Sequence, residues 1–226
     1  MKRYSLSSIF TEAFRDNLGW EKAWTKRQPK KEYQIIIVGG GGHGLATAYY
    51  LAKNFNITDI AVIEKGWIGG GNTGRNTTII RSNYLQESSI GIYEKSRFLY
   101  ETLSQDLNYN IMFSPRGVLM LCQTEHELRA MKRTSHANRI NGVDTKMVTP
   151  EEVKEIVPII NINGPRFPVL GALWQPRGGT ARHDAVAWGY ARKCSDYGID
   201  IIEQCEVIGV KKKREKIVGV ETIKGN

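Results

Sequence analysis

Cysteine is scarce in this chain: three residues, Cys122, Cys194 and Cys205, an odd number with no CxxC spacing. That pattern excludes a disulfide framework and a thiolate zinc site, and no metal is expected; the three read as buried thiols. Long apolar runs are missing too. None approaches the ~18–20 residues that span a bilayer, so no membrane segment is expected. The first 31 residues mix Arg3, Glu12, Arg15, Asp16, Glu21 and Lys22 with apolar positions and lack the apolar core and small-residue cleavage site of a secretory signal. A cytoplasmic location is the expectation. Internal repeats and low-complexity tracts are absent. The net charge of +9 and pI near 9.4 come without a basic helix or an aromatic RNA-binding motif. The one dense basic run, residues 211–216, lies between two β-like segments, 201–210 and 217–223, and reads as a solvated hairpin turn. Nucleic acid is therefore not an expected partner.

What is present suits one or two globular domains: 226 residues, 41% hydrophobic and 24% charged. Residues 1–33 form an extension with a short amphipathic helix, its apolar positions Phe10, Phe14, Leu18 and Trp20, closed by Gln28-Pro29-Lys30-Lys31. Its expected task is packing on another surface. Ile35-Ile36-Ile37-Val38 has the composition of a strand buried on both faces of a parallel sheet. A helix over 45–53 and a second strand over 60–63 complete a βαβ unit. A glycine-rich loop over 66–74 precedes a long helix over 87–105, a β-rich stretch around 112–122 and a polar helix over 125–138. Pro150 opens a further helix at its first turn. Residues 110–170 look like an insertion. A strand over 171–174, a turn over 175–180, a helix over 184–197 and a strand over 199–207 return to α/β character. The expected division is thus an extension (1–33), two segments of a nucleotide-binding domain (34–110 and 171–226), and a partial insertion domain (111–170).

Gly39, Gly41 and Gly44 satisfy GxGxxG directly after a strand and at a helix start, with Gly40, Gly42 and His43 between them. Chemistry asks for glycine here: the first makes the tight turn, the second lets backbone approach a pyrophosphate, and the third lets helix and strand pack closely. The helix N-terminus then offers N–H groups and partial positive charge to phosphates. Glu64 ends the second strand 20 residues beyond Gly44, where a carboxylate accepts hydrogen bonds from ribose hydroxyls and disfavours a 2′-phosphate. A second cluster, Gly69-Gly70-Gly71-Asn72-Thr73-Gly74-Arg75-Asn76, offers further backbone donors, with Arg75 available to a phosphate or to the negative charge of a reduced flavin. It is either a flexible linker or a second phosphate-like loop, and the latter favours a flavin over a nicotinamide.

At these residues the chain resembles the D-amino-acid-oxidase superfamily of flavoproteins and, within it, the beta subunits of heterotetrameric sarcosine oxidases. The resemblance rests on residues 36–51 (IIVGGGGHGLATAYYL), 64–67 (EKGW), 69–82 (GGGNTGRNTTIIRS) and 174–192 (WQPRGGTARHDAVAWGYAR), with 3–6 and 103–110 in support. It implies an α/β fold: a Rossmann-like FAD-binding domain of the glutathione-reductase/D-amino-acid-oxidase type with part of an inserted α+β substrate domain, truncated before the second half of the FAD site. It implies a flavin-dependent amine oxidoreductase that demethylates sarcosine to glycine by hydride transfer to flavin N5, with oxygen reduced to hydrogen peroxide and the one-carbon unit passed to tetrahydrofolate or released as formaldehyde. Noncovalent FAD, covalent FMN and alpha, gamma and delta subunit partners are implied with it. The implied cofactor-binding set is Gly39, Gly41, Gly42, His43, Gly44, Glu64, Lys65, Gly71, Asn72, Thr73, Arg75, Asn76, His183 and Val207. His183 is the position matching the family's FMN-bearing histidine; an ordinary helix-start histidine is the alternative. Asp184 reads as the cap of the helix that follows. His43 reads as a packing or hydrogen-bonding residue, and His126 and His136 as solvated. No catalytic residue is assigned: Arg81 and Arg116 are available to clamp a substrate carboxylate, and nothing selects either. A single-flavin amine oxidase and a nonenzymatic FAD- or partner-binding fragment remain the competing readings.

Overall fold

Among the described residues, sixteen α-helices and β-strands follow one another as the hydrophobic periodicity changes along the chain. The computed structural model describes residues 5–16, 18–19, 23–25 and 27–225. In chain order the elements are α1 (Leu6–Ala13), β1 (Ile35–Val38), α2 (Gly42–Phe55), β2 (Ile60–Ile63), β3 (Ile79–Ile80), α3 (Glu87–Leu107), β4 (Val118–Cys122), α4 (Glu125–Ile140), β5 (Lys146–Val148), α5 (Pro150–Ile156), β6 (Gly171–Gln175), β7 (Gly179–Thr180), α6 (His183–Asp196), β8 (Asp200–Ile202), β9 (Val207–Lys213) and β10 (Lys216–Thr222). They form two units, one built from Met1–Gly70 with Tyr190–Asn226 and the other from Gly71–Gly189. α6 carries the chain from the second into the first.

The first unit is the βαβ arrangement expected of a nucleotide-binding domain. β1, β2 and β8 form a parallel sheet in the order β1-β2-β8, with Ile35 opposite Ile60 and Ala61 opposite Asp200. α2 lays Leu45, Ala48, Tyr49 and Ala52 into the core. Asn56 ends the helix in the left-handed conformation (φ 56°), which asparagine tolerates at such a cap. The β-branched run was expected to be buried on both faces. β2, the central strand, is buried throughout, as is β8; β1 lies at the edge, half-buried, with Val38 61% exposed. Composition reports that a strand suits a pleated surface, and its place in the sheet depends on its neighbours. The expected strand over 199–207 is two. β8 pairs parallel with β2, Gln204 turns the chain at φ 54°, and β9 pairs antiparallel with β10. The basic run 211–216 is a turn only at its centre: Lys211–Lys213 end β9 and Lys216 begins β10, while Arg214 and Glu215 between them take positive φ (47° and 63°), the two-residue primed geometry that matches strand twist. Of the amphipathic extension, α1 covers only Leu6–Ala13, and Phe10 and Phe14 are 69% and 78% exposed. Trp20 and the Arg3-Tyr4 pair lie outside the described residues.

The second unit holds a three-stranded antiparallel sheet, β4-β6-β5, with α3, α4 and α5. Thr124 and Thr149 each accept a hydrogen bond from the amide three residues on, while Glu127 and Glu152 reach back to the cap amides. Pro150 occupies the first turn of α5 as expected. Residues 112–117, read as β-rich, hold only an isolated bridge between Ser114 and Thr180 ahead of β4. On α3 itself, Arg97 is 1% exposed and is held by Glu94 and by Glu101 at 2.7 Å. Gln175 exchanges two hydrogen bonds with Ser82, at 3.0 and 2.7 Å, and the Ser82 hydroxyl donates to Glu94. Arg177 closes the network on Glu101 at 2.8 Å. β3 and β7 pair antiparallel beside this network, so the sequence runs 69–82 and 174–192 meet in one structure. Gly179 is required there, since a Cβ would lie 2.1 Å from the Ser114 carbonyl oxygen.

All three cysteines are buried and unpaired. Removal from water pushes the Cys194 thiol up to about 12, and burial, aided by Glu127, raises Cys122. A thiol reagent at pH 8 is expected to label none of the three in the folded protein and all three once denaturant is added; rapid labelling of the native chain would show that the cores around them open readily.

Candidate cofactor site

The dinucleotide loop begins where β1 stops. Gly39 turns the chain at φ 112° while its N–H still donates to the Ile63 carbonyl at 2.8 Å. The Gly40 N–H donates to Glu64 Oε2 at 2.8 Å, and the other carboxylate oxygen of Glu64 accepts from the Gly66 N–H at 2.8 Å. Gly41 is the extended N-cap of α2, with no side chain to satisfy the first-turn amides and no acidic residue in that turn. Gly44 lets α2 pack on the end of β1, since a Cβ there would fall 2.0 Å from the Gly39 carbonyl oxygen. Two demands for glycine, a positive φ and a close helix–strand approach, thus fall on Gly39 and Gly44, while Gly41 leaves the helix start without a capping side chain.

The signature does not demand glycine at its second position, yet the structure does. A Cβ on Gly40 would lie 2.9 Å from both Glu64 Cβ and Ile68 Cδ1. Sequence reasoning passed over Gly40 because GxGxxG leaves that position open; the crowding comes from residues 24 and 28 positions further on. The loop after β2 is fastened on its other flank as well, by Cys205 N–H to the Glu64 carbonyl at 2.9 Å and Gln204 N–H to the Gly66 carbonyl at 3.0 Å. Lys65 is exposed, and Val207 starts β9 against the cluster of Ala61, Ile63, Ile202 and Cys205. His43 does not pack: its side chain is exposed, and only its carbonyl is used, accepting from the Thr47 hydroxyl at 2.8 Å.

The remaining expected positions belong to the second unit. Asn72–Arg75 is one turn of 3₁₀ helix, not a string of open donors, and the Gly74 N–H already bonds the Gly71 carbonyl at 3.2 Å. Asn76 fastens this turn, its amide donating to the Thr73 carbonyl at 2.6 Å and its oxygen accepting from Thr78 N–H at 2.7 Å. Arg75 is exposed and makes no ion pair with the described residues. Arg81 bonds Asn83 at 2.8 Å and stacks over Tyr84, 4.2 Å from the ring centroid. His183 is the first residue of α6, partly buried, and its Nδ1 is enclosed with no hydrogen-bond partner among the described residues. Asp184 is not the cap: it lies within the first turn, binding Arg182 at 2.8 Å and the Ala185 N–H at 2.8 Å. Burial acts to raise its carboxyl, but those two donors outweigh it and hold Asp184 below the ordinary value. His126 and His136 are exposed on α4. Among the described residues no helix is long and apolar enough to cross a membrane.

A glycine turn, an uncapped helix start and a carboxylate ending the adjacent strand define a class: a Rossmann-type dinucleotide-binding oxidoreductase. The chain matches the DAO family, FAD dependent oxidoreductase, over residues 34–226, and belongs to it. It is 63% identical over 226 residues to sarcosine oxidase subunit beta of Rhodobacter capsulatus, covering 100% of this chain and 55% of that one. It is 57% identical over 206 residues to sarcosine oxidase subunit beta of an Arthrobacter species, covering 91% of this chain and 51% of the relative. The chain therefore spans about half the length of the curated relatives it matches. The crystal structure of L-proline dehydrogenase from P. horikoshii shares the fold with a TM-score of 0.79 at 34% identity, covering 88% of this chain and 50% of that one.

Proposed function

We propose that the chain forms part of a flavin-dependent sarcosine oxidase, as a subunit of the beta type. The observation that carries the reading is identity of 63% across every residue of the chain to a sarcosine oxidase beta subunit, joined to a first unit whose glycines and Glu64 suit the adenosine and pyrophosphate of FAD. In this reading the protein oxidises sarcosine to glycine with oxygen reduced to hydrogen peroxide, the one-carbon unit passes to tetrahydrofolate or leaves as formaldehyde, and alpha, gamma and delta subunits complete a cytoplasmic assembly. Residues 111–170 then contribute to the substrate-facing domain, as part of the proposed division into 1–33, 34–110, 111–170 and 171–226.

FAD, when bound, supplies the hydride acceptor. The chain's own part would be to bind and orient it: backbone at Gly39–Gly44 would hold the pyrophosphate at the N-terminus of α2, and Glu64, after accepting the Gly40 and Gly66 amides, keeps lone pairs for ribose hydroxyls. His183 suits a covalent FMN. It is the first residue of a helix, its Nδ1 has no hydrogen-bond partner among the described residues, and the neighbouring Asp184 is already occupied by Arg182. A covalent link there would join an imidazole nitrogen to the flavin 8α carbon as that carbon gives up a proton and the flavin is reduced, with oxygen restoring the oxidised flavin.

Denaturing mass spectrometry of the purified protein, with peptide mapping around His183, tests this. The expected result is an FMN-sized mass increase on the His183 peptide and FAD released by acid. An unmodified peptide with FAD alone would replace the reading with a single-flavin oxidase, and no flavin of either kind would leave a nonenzymatic partner-binding role.

A further inference from the structure

The dinucleotide loop is also held from a side that its glycine signature does not encode. Glu203 directly follows β8, and its carboxylate joins two segments distant in sequence. Oε1 accepts from the Ile68 N–H at 3.0 Å, and Oε2 accepts from the Trp24 indole N–H at 3.1 Å. Ile68 is buried, and the next amide, Gly69 N–H, donates to the Gly40 carbonyl at 3.1 Å. Ile68 Cδ1 is one of the two atoms that crowd Gly40. Displacing Ile68 therefore displaces Gly40, the residue whose N–H is bonded to Glu64.

Trp24 is placed by a row of polar contacts rather than by local turn structure. The Thr25 N–H donates to Ser195 Oγ at 3.2 Å; Arg27 and Lys30 pair with the buried Asp200 at 3.1 and 3.5 Å, and the Tyr33 hydroxyl donates to the same carboxylate at 3.1 Å. Thr25, Arg27, Lys30 and Tyr33 are thereby fastened to α6 and β8, which brings the Trp24 indole N–H to Glu203. A carboxylate with one donor on each oxygen is held in a single orientation, and charge-assisted bonds of this kind are about twice as strong as neutral ones.

We propose that Glu203 is a positioning residue of the dinucleotide site and that Trp24 orients it, so that the amino-terminal segment helps set flavin affinity. The inference rests on the reading that the adenosine half of FAD binds at Gly39–Gly44 and Glu64. The test is FAD titration of the full-chain protein after noncovalent flavin is stripped, followed by fluorescence, for the wild type, Glu203→Ala, Trp24→Phe, their double variant and Glu64→Gln. Glu203→Ala is expected to weaken FAD by about tenfold, the worth of one charge-assisted hydrogen bond, and Trp24→Phe by roughly threefold. In the double variant the tryptophan change should add nothing to the loss from Glu203→Ala, because the two act through one carboxylate. Affinity unchanged in Trp24→Phe, or losses that multiply in the double variant, would overturn the proposal, and Trp24→Phe decides alone should Glu203→Ala fail to fold. If Glu64→Gln also leaves affinity intact, or the wild type binds no FAD, the site assignment itself is wrong; if Glu64→Gln weakens FAD while Glu203→Ala does not, only the role of Glu203 falls.

Discussion

Replacing Gly44 with alanine is expected to abolish useful flavin binding, weakening FAD on the order of a hundredfold or more and destabilising the first unit by about 3 kcal/mol. The added Cβ would fall 2.0 Å from the Gly39 carbonyl oxygen, a backbone atom that cannot swing aside as a side chain would. Relief requires moving the start of α2 away from the end of β1, which is the close approach that presents the helix N-terminus to a pyrophosphate. Gly91 supplies the contrast. It lies on α3, where a Cβ meets nothing within 4 Å, so Gly91→Ala should stabilise the protein by about 0.5–1 kcal/mol through helix propensity alone. Denaturant titration and FAD titration of the two variants make the comparison; flavin affinity in Gly44→Ala equal to wild type would remove the third glycine from any part in the site.

The largest loss of stability is expected from Arg97→Met, about 3–5 kcal/mol at neutral pH, because it breaks a buried ion pair on one side only. Arg97 is 1% exposed and answers Glu94 and Glu101 together, so methionine would fill the space and leave Glu94 with only the Ser82 hydroxyl and Glu101 with only Arg177. The effect depends on pH, with a sign that follows from Glu94. The Arg97 guanidinium, helped by the Ser82 hydroxyl, outweighs burial and holds Glu94 below the ordinary 4.5. A depressed folded-state value means that its stabilising share is complete above about 4.5 and is lost as pH falls through the lower folded value. Wild type should therefore lose stability steeply below pH 4.5, and Arg97→Met should lose less, so the gap between the two narrows toward pH 3. Denaturant unfolding of both proteins at pH 7 and pH 3.5 measures the gap; a constant difference across that range would mean that Glu94 is not the partner that matters.

Much of the architecture was legible along the chain because it is local. The β-branched runs at 35–38 and 60–63 became strands, the periodic apolar face between them a helix, and Pro150 opened α5, although only the 60–63 run of the two is buried throughout. Boundaries moved where the deciding contacts were distant. The strand read over 199–207 divides because its halves pair with different partners, β2 and β10, and Asp184 loses its capping role because α6 begins one residue earlier, at His183. His43 points outward although it sits inside the signature, since helix geometry, not motif membership, decides which side of α2 it faces.

The amino-acid sequence by itself determined the class of protein. A dinucleotide site is made largely from backbone, and backbone conformation is written locally, in which positions are glycine and in the strand and helix that flank them. The sequence could not show what holds that backbone in place. The crowding of Gly40 by Glu64 and Ile68, the anchoring of Ile68 by Glu203 and Trp24, and the Ser82–Gln175 pair beneath Arg97 join residues far apart in the chain. Such contacts follow from packing and strand order, which local spacing does not encode, and only the tertiary structure decided them.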